Sequence, residues 1–313
     1  MIEIISAIGT IFAMILLGSL LRAKSVPSEE YWIYADKLVY WILFPSFLFY
    51  KTSTITITAE LLTPVSQTLV AGMLLTVVIV WVASRWLKFD SKACSSIVQA
   101  SGRHNTFIAL AIAEKLFGES GLLIATLATA ILIPVTNIAI VIALVIILNK
   151  DQQQLFKKIS GDLIRNPLLI AIFCGMTFNA LGFKHIIILH DVTSLLGSAT
   201  LPVVLLCIGA SMRFEGLKQT LPALLLASIG KFIIFPGIVL FLLLQTSVPP
   251  EIAIIVILYA SVPTAASGFA LARQMGGDYK LMASLITNQT LISFLTLPFS
   301  IYLATRFWGL AFE

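Results

Sequence analysis

Apolar runs of roughly 17–25 residues, each long enough to cross a bilayer, recur along the whole of this 313-residue chain. No polar stretch between them is long enough to fold separately. Charged residues make up only 11% of the chain and hydrophobic ones 59%. A soluble globular chain carries about 25% charged residues. These features predict an all-α, polytopic membrane protein with a single transmembrane domain over 1–313. The N-terminus "MIEIISAIGTIFAMILLGSLLR" has no basic residue before its apolar run and no convincing cleavage site, so it is read as a retained first helix.

The runs predict ten spans: about 2–22, 32–51, 62–87, 92–116, 120–148, 166–184, 191–212, 220–245, 250–274 and 279–305. Loop charges follow this count. Fourteen basic residues fall on one side, among them Arg22, Lys88, Lys150, Arg213 and Arg273, and four on the other: Lys51, Lys115, Lys184 and Arg306. The positive-inside rule then places the central loop in the cytoplasm and both termini outside it, in the cell inner (plasma) membrane. The net charge of +5 reports this orientation, and no nucleic-acid partner is expected. Cys94, Cys174 and Cys207 lie far apart in apolar segments and suggest neither disulfides nor a metal site.

Prolines recur at a near-constant offset. Pro45 pairs with Pro202 (157 residues), Pro64 with Pro222 (158) and Pro134 with Pro298 (164). Two five-span repeats explain this. Because five is odd, the second enters the membrane inverted, as in many secondary transporters. Repeat one is 1–148, a cytoplasmic linker is 149–165, and repeat two is 166–313.

Two basic residues, Arg103 and Lys231, fall near the middle of a span, and no Asp or Glu does. Arg103 belongs to "SGRHNT" in span 4. Its counterpart, span 9, carries Ser261, Pro263, Thr264, Ser267 and Gly268. Pro263 lacks an N–H and crowds the carbonyl of Tyr259, so span 9 should break there. Gly102 and Asn105-Thr106 loosen span 4. Broken helices at membrane depth are tolerated where they line a cavity. Their N-termini carry partial positive charge, so two breaks meeting near the midplane would make an anion site. Arg103 adds a fork suited to a carboxylate. An Arg at the bilayer centre costs at least about 2.5–3.5 kcal/mol on insertion scales, which argues for a partner. The expected substrate-binding residues are Arg103, His104, Asn105, Pro263, Thr264 and Ser267, with Lys231 and Ser261 as secondary candidates. Structural alternatives stand beside these. Arg103 and Lys231 can snorkel, His104 can be a hydrogen-bonded structural residue, and Asn105 and Thr264 can tie the crossing helices together.

Over about 300 residues the chain resembles the auxin efflux carrier family, which includes plant auxin exporters and bacterial carriers labelled malate or malonate transporters. The stretches that carry the resemblance are "KLVYWILFPSFLF", "NTFIALAIAEKLFG", "LPVVLLCIGASM", "KFIIFPGIVL" and "SVPTAASGFALARQMGGDYKLMASLITNQTLISFLTLPFSIYL". The resemblance implies ten spans in two inverted repeats, with the broken, crossing helices 4 and 9 holding the substrate. Asn105 matches the polar residue of the first crossover and Pro263 the proline of the second. Many relatives have a proline where this chain has Ala111, and Arg103-His104 replaces small residues. This suggests a substrate smaller or more acidic than auxin.

The expected function is secondary or potential-driven transport of a small organic anion (malate, malonate or an auxin-like acid) by alternating access. No cofactor is expected, H⁺ or Na⁺ coupling is left open, and a homodimer is compatible. One alternative is a sodium-coupled symporter of the bile-acid-symporter type. The other is an intramembrane serine hydrolase built on "AASG" (265–268) with His104 as base. No histidine begins HExxH, and no paired midspan aspartates exist for an aspartyl protease.

Overall fold

A computed structural model describes residues 1–54, 59–149, 165–183, 185–213 and 221–310. Most of the expected linker 149–165 and Lys184 therefore lie outside the described residues. Every regular element among the described residues is helical. Six helical stretches are long and apolar enough to cross a membrane: Ile2–Ala23, Val65–Trp86, Ser91–Leu148, Ile187–Ser211, Leu221–Leu243 and Tyr279–Phe307. Two shorter apolar helices, Pro167–Ala180 and Pro250–Ser261, accompany them.

In chain order the helices are α1 (Ile2–Ala23), α2 (Glu29–Leu38), α3 (Phe44–Thr54), α4 (Ala59–Trp86), α5 (Ser91–Gly102), α6 (Thr106–Leu148), α7 (Pro167–Ala180), α8 (Ile187–Ser198), α9 (Thr200–Ser211), α10 (Leu221–Ile229), α11 (Phe235–Leu243), α12 (Pro250–Ser261), α13 (Ser267–Met275) and α14 (Tyr279–Phe307). α6 is interrupted at Gly118, whose φ of 62° and ψ of −146° are not helical. A left-handed φ suits glycine, which has no Cβ to clash. The expected boundary between residues 116 and 120 falls on this kink.

The prolines act locally. Five-residue π turns at Val39–Leu43 and Gly230–Ile234 join α2 to α3 and α10 to α11, and each ends two residues before a proline, Pro45 or Pro236. A proline removes one helical N–H and crowds the carbonyl four residues back, so the preceding turn widens. The Phe44 N–H then reaches the Val39 carbonyl, and the Phe235 N–H reaches that of Gly230. Pro202 acts likewise on Ser198, where α8 ends and α9 begins after Ala199. Pro134 and Pro298 sit inside α6 and α14 without interrupting the helix around them.

The helices pack mainly in two groups. In the first, α1 lies along α9 and α3 lies against α7 and α8. Gly18 and Gly209 set the α1–α9 distance, because a Cβ on either would overlap backbone: the Leu206 carbonyl for Gly18 and the Ile15 carbonyl for Gly209. Close backbone approach through small residues gives membrane helices their van der Waals contact where lipid supplies no hydrophobic drive.

In the second group, α5 and α12 are central. Residues from Cys94 to Gly102 and from Ile252 to Ser261 are buried without interruption. α5 packs on α4, α6, α10 and α14, while α12 packs on α4, α6, α11 and α14. A helix buried all round belongs to the interior of a bundle. The two interrupted helices are thus shielded by protein, the condition under which broken backbone persists at membrane depth. One apolar core holds Ile108–Ala113 with Ile252–Val262, and another holds Cys94–Ala100 with Ala272, Met275 and Met282. The polar residues 101–106 and 263–267 lie in sequence between these two cores.

Candidate functional site at the helix crossing

The first interruption spans Arg103 to Asn105. α5 ends at Gly102, and Arg103 turns extended (φ −74°, ψ 155°). Asn105 restarts the chain as N-cap of α6, its Oδ1 accepting from the Ile108 N–H at 3.2 Å. An Asn in this role satisfies one of the four donors a helix N-terminus leaves open. The second interruption follows Ser261. Val262 is extended (φ −66°, ψ 151°), as favoured for a residue preceding proline, and helix resumes at Ser267 without a side-chain cap.

The interruptions meet. The Asn105 N–H donates to the Pro263 carbonyl at 2.7 Å. The Thr264 N–H donates to Oε1 of Gln289 in α14 at 3.1 Å. Buried backbone donors need such partners, since an unmade hydrogen bond costs about 1–3 kcal/mol. Asn105 thus ties the two segments together through the Pro263 carbonyl, and Thr264 ties the second segment to α14, the structural role expected of both beside substrate contact.

Arg103 does not snorkel, being only 7% exposed. Its Nη2 donates to Asn137 Oδ1 at 2.9 Å and to Ser267 Oγ at 3.1 Å. The guanidinium thus joins the second half of α6 to the start of α13. Its Nε and Nη1 are buried without a protein partner. His104 is buried with its Nδ1 unpartnered, and its ring centroid lies 6.0 Å from that of Tyr259. Tyr259 donates to the Ala125 carbonyl at 2.6 Å and lies 2.6 Å from Thr129 Oγ1. Lys231 is fully buried in the second π turn. Its Nζ bonds no carbonyl and sits 4.5 Å from the centre of the Phe235 ring. Lys231 neither snorkels nor caps a carbonyl freed by Pro236. The hydroxyls of Ser261 and Thr264 are buried without partners.

Every expected site residue is therefore described at or beside the crossing. Asn137, Gln289 and Gln99 were missed. Gln99 is fully buried one turn before Arg103, with both amide atoms unpartnered. Each stands out as an amide in an apolar span, "PVTNIAI", "ITNQTL" and "SIVQASG", a signal as plain as the one that marked Asn105. A crevice of about 520 Å³ lies apart from Arg103, between α1, α9 and Ala111–Lys115 of α6.

Residues 3–301 match the family model described as "Membrane transport protein". The chain belongs to this family, that of the auxin efflux carriers. A relative described as an "Uncharacterized transporter" from Methanothermobacter thermautotrophicus is 23% identical over 298 residues, covering 92% of this chain and 94% of that protein. The match runs through both groups of helices and both interruptions. With the long apolar helices, membership makes this a multi-pass membrane transporter.

Proposed function

We propose that this transporter carries a small organic anion through the crossing of α5–α6 with α12–α13, and that Arg103 binds the anion's carboxylate. The observation that carries the reading is the Arg103 guanidinium itself. It is buried and held by neutral acceptors on two helices, it has two nitrogens unused, and no carboxylate pairs with it among the described ion pairs. A buried cation without a counter-charge is costly, and a bound carboxylate would supply one. His104, Asn105, Pro263, Thr264, Ser267 and Ser261 would line the site, and Lys231 would add a second positive charge. We read the chain as ten spans in two inverted repeats, 1–148 and 166–313, with both termini outside the cytoplasm in the inner (plasma) membrane. Alternating access would move the crossing relative to the α1–α9 and α3–α7–α8 group, to which it is joined by fewer packed surfaces.

A dianion leaving an inside-negative cell gains about 2 × 2.3 kcal/mol per 100 mV, so export needs no further coupling. The test is flux of labelled malate, malonate and monocarboxylates into proteoliposomes under an imposed potential. Saturable flux that Arg103→Gln reduces at least about a hundredfold is expected. Flux no greater than in protein-free vesicles across the panel, or wild-type flux from Arg103→Gln, refutes the reading.

The unpartnered hydroxyls of Ser261 and Thr264 favour a second reading, sodium-coupled symport, because oxygen ligands suit a hard cation. Sodium-independent flux removes it. The carrier reading is preferred to a serine hydrolase because the Ser267 hydroxyl is engaged by a guanidinium, which cannot serve as its base.

A further inference from the structure

Both edges on which a guanidinium can grip a carboxylate with two parallel bonds, Nε/Nη2 and Nη1/Nη2, include Nη2. In this protein Nη2 is the one guanidinium nitrogen already engaged, with Asn137 Oδ1 at 2.9 Å and Ser267 Oγ at 3.1 Å accepting from it. The unpartnered nitrogens, Nε and Nη1, do not share an edge. A two-bonded grip on an anion therefore requires Nη2 to release one of its two acceptors.

We propose that Ser267 is the acceptor released: its hydroxyl holds the carboxylate's place on Arg103 in the empty site, and Asn137 is the positioning residue that keeps the guanidinium aimed. Three observations select Ser267. Its bond is the longer of the two. It is exposed whereas Asn137 is half-buried, so fewer packed neighbours hold it in place. It is also a hydroxyl, whose rotor can turn to another partner once released, whereas the Asn137 carbonyl oxygen only accepts. Both acceptors bond the same cationic donor, but the carboxylate brings a full negative charge where the Ser267 oxygen is neutral, and in a buried site that attraction drives the exchange toward the anion. The direct tie between Arg103 and the first residue of α13 becomes a tie through the substrate. Occupancy of the site is thereby communicated to the helix that follows the second interruption.

This rests on the crossing being the anion site, and the experiment separates the two claims. Equilibrium binding of labelled malonate, malate and acetate is measured on purified protein in nanodiscs, followed by flux for whichever binds the wild type most tightly. Removing a competing acceptor should tighten binding, so Ser267→Ala should lower Kd about three- to tenfold while slowing turnover, and Ser267→Thr should restore both. Asn137→Ala should raise Kd about tenfold. Asn137→Asp, whose carboxylate occupies the guanidinium itself, should raise it about a hundredfold. An unchanged or higher Kd in Ser267→Ala overturns the proposal while leaving the anion site standing. So does a Ser267→Thr variant as tight as the alanine, or an Asn137→Ala variant with wild-type Kd. A wild type that binds none of the three anions overturns the anion site and this proposal together.

Discussion

The main-chain N–H of Asn105 and the carbonyl of Pro263, 2.7 Å apart, join the two interrupted helices at the point where each has lost its own hydrogen-bond ladder. Proline has a carbonyl but no N–H, so it can accept this bond while contributing no further buried donor. Because the bond is main chain to main chain, it outlasts side-chain replacement at Asn105. Asn105→Ala should lose only the N-cap bond to Ile108, at about 0.5–2 kcal/mol. Asn105→Ser and Asn105→Asp should retain most of the stability. Thermal unfolding in detergent checks this order, and an alanine variant as stable as the serine one refutes it.

Gln289→Leu strands the Thr264 N–H, which Gln289 alone among the described acceptors satisfies. The expected cost is about 1–3 kcal/mol, read as a lower unfolding midpoint. Gln289→Glu keeps the acceptor and should lose much less. Equal losses from the two would show that the side-chain oxygen is not what the site needs.

Gly209→Leu should prevent α1 and α9 from packing, since even a Cβ at Gly209 overlaps the Ile15 carbonyl. Backbone cannot give way as a flexible side chain does, so the cost should reach or exceed the 1–3 kcal/mol typical of overpacking. The expected outcome is little folded protein by size-exclusion chromatography. Gly9→Ala, where nothing lies within 4 Å of the added Cβ, should express normally.

Lys231→Met removes a fully buried, unpartnered ammonium but keeps an unbranched apolar side chain beside Phe235. Replacing a buried charge with a well-packed apolar group is often neutral or stabilising. The unfolding midpoint should hold or rise. If Lys231 faces the second charge of a dianion, dicarboxylate flux should fall at least tenfold more than monocarboxylate flux. Equal effects on both would remove Lys231 from the site.

Glu119→Gln breaks the 2.7 Å ion pair with Lys51, which links α3 to the kinked region of α6. The Glu119 side chain is 76% exposed, so water and salt screen the pair, and exposed pairs contribute about 0–1 kcal/mol. A shift of the unfolding midpoint of no more than about 4 °C is expected, because 1 kcal/mol moves a larger domain by only about 2–4 °C.

Much of this is visible in the residues. The apolar runs and the prolines foretell where helices run and where they give way. Pro45 and Pro236 each follow a π turn, and "SVPT" marks the second interruption. Arg103 is conspicuous because a charge in an apolar span needs a reason. The first interruption was less legible. No proline marks it, and it depends on Gly102 packing against Val77 and Ile140, on Arg103 being drawn away to Asn137 and Ser267, and on Asn105 capping the helix beyond.

By itself, the sequence determined the membrane class, the helical content and the presence of a polar run among apolar segments, because each follows from local composition: apolar length, missing N–H groups and charge. Only the tertiary structure decided what Arg103 touches, that Gln289 serves Thr264, and that Lys231 is enclosed rather than turned toward water. Those contacts join residues 25 to 164 positions apart or depend on neighbouring helices. Chain-local preferences carry no information about which helix closes over which, and the packing of whole helices fixes these partners.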